Sequence, residues 1–88
     1  MGSQVSRFVA QLETFVRQHP KVTGFNLGKP GWFRGRPGIK ITNGNPGHLR
    51  VEIREKEAKR HLHVYTADCK GVSHEICQFA RTQGVGTI

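Results

Sequence analysis

The sequence predicts an α+β domain, a two-layer sandwich with two helices on one face of an antiparallel sheet of three to four strands. Apolar residues recur at helical spacing near the N-terminus, alternate with polar residues through the middle, and return to helical spacing near the C-terminus. This order, α-β-β-β-β-α, buries one sheet face under the helices and leaves the other open to solvent. The 88 residues suffice for a single domain.

The first helix is predicted from residue 3 to residue 18. Ser3 can cap its start, and His19-Pro20 can end it. Its apolar residues form one stripe that faces the core, namely Val5, Phe8, Val9, Leu12, Phe15 and Val16.

The first strand is predicted at residues 22–27, and a loop rich in Gly and Pro follows it as far as Gly38. Ile39 and Ile41 then share one face of the next strand, and the sequence NGNPG at 43–47 supplies a turn.

Two further strands alternate apolar and polar residues. The inward-facing residues are Leu49, Val51 and Ile53 in one strand and Leu62, Val64 and Thr66 in the other. The charged residues 55–60 between them are predicted to be the hairpin connection.

The second helix is predicted to begin at Ser73, after a turn formed by CKGVS at 69–73, and to end at Gly84. Residues 85–88 can add a short final strand. The sequence leaves open whether that strand pairs across a homodimer.

The charge of the chain points to a polyanionic partner. Fourteen Lys and Arg residues face six Asp and Glu residues, which gives a formal net charge of +8 and an isoelectric point near 10.4. No acidic residue occurs from position 14 to position 51, although seven Lys and Arg residues do. Most of the excess charge therefore lies in one continuous segment.

A basic loop beside an open, basic sheet face is typical of nucleic-acid binding. Cations neutralise phosphates, and flat side chains stack on unpaired bases, which favours RNA over DNA. The predicted phosphate contacts are Lys29, Arg34, Arg36, Lys40, Arg50 and Arg54. The predicted stacking groups are Trp32, Phe33 and Tyr65, and His63 completes the predicted interface.

Two alternatives stay open. A small metal-independent ribonuclease or toxin would use His61 and His63 with Glu52, because RNA cleavage needs a base, an acid and nearby positive charge. Strand pairing centred near residues 57 and 58 puts His63 opposite Glu52, and a shift of two residues is equally open. The other alternative is an assembly component that binds an acidic protein.

Metal and cofactor chemistry is not expected. The His61-Leu62-His63 pattern is similar to the metal-site strand of rolling-circle-type nucleases, but the predicted second helix lacks their tyrosine. Cys69, His74 and Cys77 lack the paired spacing of a zinc site. No nucleotide-binding loop motif occurs.

The expected location is the cytoplasm, with no membrane span. No apolar stretch approaches the length of a membrane helix, and the two cysteines are expected to be reduced thiols. The start MGSQVS matches the pattern for myristoylation at Gly2 and also resembles a cloning remnant, so the sequence does not decide between them.

Overall fold

The computed structural model describes residues 4–55 and 57–88, with side chains except at residues 4–6 and 44. Its elements, in chain order, are α1 (Gln4–Gln18), β1 (Val22–Leu27), β2 (Gly31–Trp32), β3 (Gly38–Asn45), β4 (His48–Arg54), β5 (Ala58–Thr66) and α2 (Cys69–Thr82). The predicted α+β class is confirmed. Gly2, at which the sequence matches a myristoylation pattern, and Ser3, the predicted helix cap, lie outside the described residues.

The sheet is antiparallel, and its spatial order is β1-β5-β4-β3. The extra strand, β2, comes from the loop predicted at 28–38. It pairs with the beginning of β5 along the same edge as β1, through Gly31 with Lys59 and Trp32 with Ala58. β5 therefore pairs with three other strands, namely β1, β2 and β4.

The core lies between the two helices and one face of the sheet. Strand alternation places the predicted apolar residues there, and the inward-facing residues predicted for β4 and β5 are all buried. The largest side chains with less than 2 % exposure are Leu12, Ile39, Leu49, Ile53, Leu62, Ile76, Val16, Val51, Val64, Val72 and Thr66. Phe15 and Ile41 are partly buried against this cluster.

The connection between β4 and β5 is shorter than the predicted segment 55–60. β5 already begins at Ala58, and the Glu55 N–H donates to the Ala58 carbonyl at 2.7 Å. Charged residues such as Lys59 and Arg60 extend the strand here, because strand pairing outweighs their weak intrinsic preference.

The second helix begins at Cys69, and the prediction that Ser73 caps it is wrong. Asp68 is the N-cap, and its Oδ1 accepts a hydrogen bond from the Gly71 N–H at 3.0 Å. A Cβ at position 71 would overlap the Asp68 carboxyl group, so the glycine in CKGVS permits the cap. The Lys21 ammonium also donates to Asp68, and these two hydrogen bonds lower the pKa of the Asp68 carboxyl.

The C-terminal residues form a single parallel bridge, from Thr87 to Ile39, where a short final strand is predicted. The Ile39 N–H donates to Gly86, and the Ile88 N–H donates back to Ile39. This segment approaches β3 so closely that a Cβ at Gly38 would lie 2.8 Å from the Ile88 side chain.

Neither described helix is long and apolar enough to cross a membrane. Cys69 and Cys77 are partly buried and are not joined to each other.

Candidate nucleic-acid interface

The face of the sheet opposite the helices carries the polar side chains of the central strands, as predicted. Cross-strand pairs fix their positions: Lys40 lies opposite Glu52, and Thr42 lies opposite Arg50. Between β4 and β5 the register is the shifted alternative, which pairs Glu52 with His61, Arg50 with His63 and His48 with Tyr65.

Flat side chains form a row along this open face. The rings of His48 and Tyr65 are stacked with centroids 5.1 Å apart, and those of His48 and His63 are stacked at 5.2 Å. His61 follows, tilted, at 6.4 Å from His63. The row arises because these residues occupy alternate positions on two paired strands.

The end of the row near Tyr65 is open. Gly24 on β1 pairs with Tyr65 on β5, and a Cβ built at Gly24 would meet no atom within 4 Å. The Asn26 amide donates to the Tyr65 hydroxyl at 3.2 Å, which holds the ring in place. Tyr65 is 39 % exposed, so the side of its ring away from His48 is open to a stacking partner.

Glu52 is the centre of a small hydrogen-bond network. Its Oε2 accepts from Arg54 Nε at 2.6 Å, and its Oε1 accepts from His61 Nε2 at 3.3 Å. The hydrogen bond from Arg54 is the main reason that the pKa of the Glu52 carboxyl lies below its ordinary value, although partial burial opposes this. Glu52 is therefore ionised at neutral pH.

His63 favours its neutral form. Partial burial is the main cause that lowers its pKa, and the charges of His48, His61 and Arg50 lower it further. Its ring Nδ1 lies 3.0 Å from His48 Nε2, a hydrogen bond in which one ring donates and the other accepts. Because folding lowers the pKa of His63, the unfolded chain takes up this proton more readily than the folded protein. With respect to His63, the folded protein is therefore most stable above pH 6.5 and loses stability as the pH falls below that value.

Five of the six predicted phosphate contacts are exposed and form no ion pair within residues 4–55 and 57–88. They are Lys29, Arg34, Arg36, Lys40 and Arg50. The sixth, Arg54, is different, because it is bound to Glu52 and lies 4.9 Å over the Phe33 ring. Arg54 thus supports the loop that follows β2.

The structure does not bring the three predicted stacking groups together. Trp32 is 76 % exposed, but its pairing with Ala58 puts it on the side of the sheet that carries Leu62 and the helices. Phe33 has one ring face under Arg54. A single-stranded nucleic acid would have to pass around the edge of the sheet to contact both Trp32 and Tyr65.

The predicted interface omitted four polar residues of this face: Asn26, Thr42, Asn45 and His48. His48 alternates with Leu49 in the sequence, which predicts its face. Its contact with His63 depends on the strand register, which the sequence left open.

The chain has no match. No protein-family model, curated protein or solved structure is significantly similar to it.

Metal ligation has no support in the described part of the chain, where no three His, Cys, Asp or Glu side chains are grouped to hold an ion. His74 of the sequence CKGVSH is exposed on α2, and His19 donates to Glu75 between α1 and α2. Three of the five histidines, by contrast, lie in the open-face row.

Proposed function

We propose that this protein binds single-stranded nucleic acid, with RNA favoured over DNA, across the open sheet face and the loop after β2. The observation that carries this proposal is the group of exposed cations without carboxylate partners in the described chain. Lys40 and Arg50 border the row of rings. Arg34 and Arg36 belong to the loop after β2, and Lys29 lies in the connection between β1 and β2.

The cations and the aromatic Tyr65 have different roles in this proposal. The cations neutralise phosphates and release counterions, which supplies affinity with little dependence on sequence. Tyr65 offers one open ring face for a base, and an aromatic stack of this kind is worth roughly 1–3 kcal/mol. RNA is favoured because unpaired bases are the usual target of exposed aromatic side chains.

The proposal predicts a steep dependence of affinity on salt. Five phosphate contacts on a single strand give a slope of about −3.5 in a plot of log K against log salt concentration. The measurement is fluorescence anisotropy of single-stranded RNA, duplex RNA and duplex DNA of equal length, from 50 mM to 400 mM salt. We expect single-stranded RNA to bind most tightly.

An affinity that does not change with salt contradicts the proposal. So does a complex with an acidic protein that survives nuclease treatment while isolated RNA fails to bind. That second result identifies an assembly component instead.

A second candidate function, cleavage of RNA, is favoured by the arrangement of His61 and His63. Glu52 orients His61, whereas His63 is held in its neutral form, and their ring centroids are 6.4 Å apart. In this reaction His63 removes the proton of a 2′-hydroxyl, and the resulting oxygen attacks the phosphorus. The bond to the 5′-oxygen breaks, and His61 protonates that oxygen.

Cleavage is tested by incubating labelled RNA with the protein in EDTA. If the site is catalytic, RNA yields a 2′,3′-cyclic phosphate end, and DNA of the same sequence stays intact. His61→Ala and His63→Ala should then each lower the rate by about 10²–10⁴-fold. His74→Ala, on the opposite layer, is the matched control. Intact RNA after incubation with the wild-type protein excludes this candidate.

A further inference from the structure

A polar pocket lies at the β3–β4 end of the open face, apart from the Glu52 network. Its volume is about 270 Å³, and its lining is formed by Thr42, Asn45, His48, Arg50 and His63. A tetrahedral anion and some of its waters can therefore be accommodated.

The pocket exists because of a bulge in β3. Thr42 pairs with Arg50, but the next pair is Asn45 with His48, so β3 has one residue more than β4 between these pairs. A bulge of this kind bends a strand and re-aims its side chains. Here Thr42 and Asn45 both line the pocket beside the histidines.

The lining side chains have hydrogen-bonding groups to spare. His48 and His63 use one ring nitrogen each in their mutual hydrogen bond, which leaves the second nitrogen of each ring. Within the described chain, Thr42, Asn45 and Arg50 make no side-chain hydrogen bond or ion pair. No carboxylate lines the pocket, and the nearest along β4, Glu52, is occupied by Arg54 and His61. No negatively charged group therefore lines the pocket. While the histidine pair is neutral, one of its two spare ring nitrogens is an N–H donor and the other is an acceptor that becomes a donor on protonation.

The groups around His63 determine how readily its ring is protonated. The titratable groups around the pair are Arg50 on β4 and His61 and Tyr65 on β5, while β1 and β3 contribute the neutral Asn26, Thr42 and Asn45. Partial burial, together with the charges of His48, His61 and Arg50, lowers the pKa of His63 and so disfavours its protonation. An anion reverses this balance, because it supplies the opposite charge and accepts hydrogen bonds from imidazolium.

We propose that this pocket binds one phosphate group, held by Arg50 and by His48 and His63, and that it takes up a proton when it does so. The inference rests on the proposed function, because a nucleic acid would supply the phosphate, either within its backbone or at a terminus. The chemistry required is the same in both cases: a tetrahedral anion with at least one negative charge.

The test follows the ring Cε1–H signals of the histidines by NMR. Three probes are titrated into the full-length protein: inorganic phosphate, a short RNA with a 5′-phosphate, and the same RNA without it. We expect saturable shifts of the His48 and His63 signals, while His19 and His74 stay unchanged. Shifts with both RNAs assign the site to backbone phosphates, and shifts with only the phosphorylated RNA assign it to a terminal phosphate.

Two variants and a pH comparison complete the test. His48→Phe keeps a ring beside Tyr65 but removes the nitrogen donor, and Arg50→Ala removes the fixed charge. Each should weaken phosphate binding by about tenfold or more, whereas His74→Phe should not. Sulfate, which does not titrate in this range, should bind several-fold more tightly at pH 5.5 than at pH 7.5. Unchanged His19 signals verify that each variant is folded.

Three results overturn the inference: no saturable shift of His48 or His63 with any probe, wild-type affinity in both variants, or sulfate binding independent of pH. If RNA still binds with its steep salt dependence while the His48 and His63 signals do not shift, the phosphate site is excluded and the proposed function stands. If phosphate moves the signals but neither RNA binds, the phosphate site stands without the nucleic acid.

Discussion

Replacing Lys40 and Arg50 together with alanine should weaken single-stranded RNA binding by about 60-fold at 50 mM salt and by about tenfold at 200 mM. Each phosphate contact on a single strand contributes about 0.7 to the logarithmic salt slope, so two lost contacts flatten that slope by about 1.4. The two residues are exposed, border the ring row and have no ion-pair partner in the described chain. The loss of affinity should therefore shrink as salt increases.

The matched control is Arg7→Ala with Arg81→Ala. These two arginines are exposed on α1 and α2, so the control lowers the net charge equally on the other layer. We expect it to change affinity less than about threefold, through long-range attraction alone. Equal losses in the two double variants would mean that affinity follows net charge and not the open face, which contradicts the proposed interface.

The fold was largely predictable because its strands follow a binary pattern. In β4 and β5, every second residue except Arg60 is apolar or Thr, and a one-residue slip would expose that apolar set to water. The beginning of α2 was not predictable from the same pattern. Asp and Ser are both common N-cap residues, so residue type does not distinguish Asp68 from Ser73. In the structure the Gly71 N–H donates to Asp68 Oδ1, which identifies Asp68 as the cap.

The face on which the candidate site lies was predictable, but its contacts were not. Alternation placed His61, His63 and Tyr65 on the open side. A shift of two residues keeps each of these side chains on its face, so the hydrophobic pattern cannot choose between the two registers. The β3 bulge is likewise invisible in the pattern, although it decides which side chains meet His48. The position of Trp32 depends on a two-residue strand inside a loop that composition alone does not reveal.

Leu62→Ala should lower the free energy of unfolding by about 2–5 kcal/mol, the usual cost of removing a large buried aliphatic side chain. Leu62 is 0 % exposed at the centre of the sheet, where it lies between Leu27 on β1 and Val51 on β4. A domain of this kind is stable by only about 5–15 kcal/mol, so the loss is a large share of the total. Urea denaturation should show a lower midpoint with an unchanged m value.

Leu62→Met, which keeps the volume, should cost less than about 1.5 kcal/mol and serves as the control. The same variants separate folding from binding, because Leu62 lies on the inner side of β5 between two histidines of the open face. Folded Leu62→Ala protein should therefore bind RNA with the wild-type salt slope. A stability loss below 1 kcal/mol contradicts the packing described for β5, and a flattened salt slope in the folded variant contradicts the separation of the two faces.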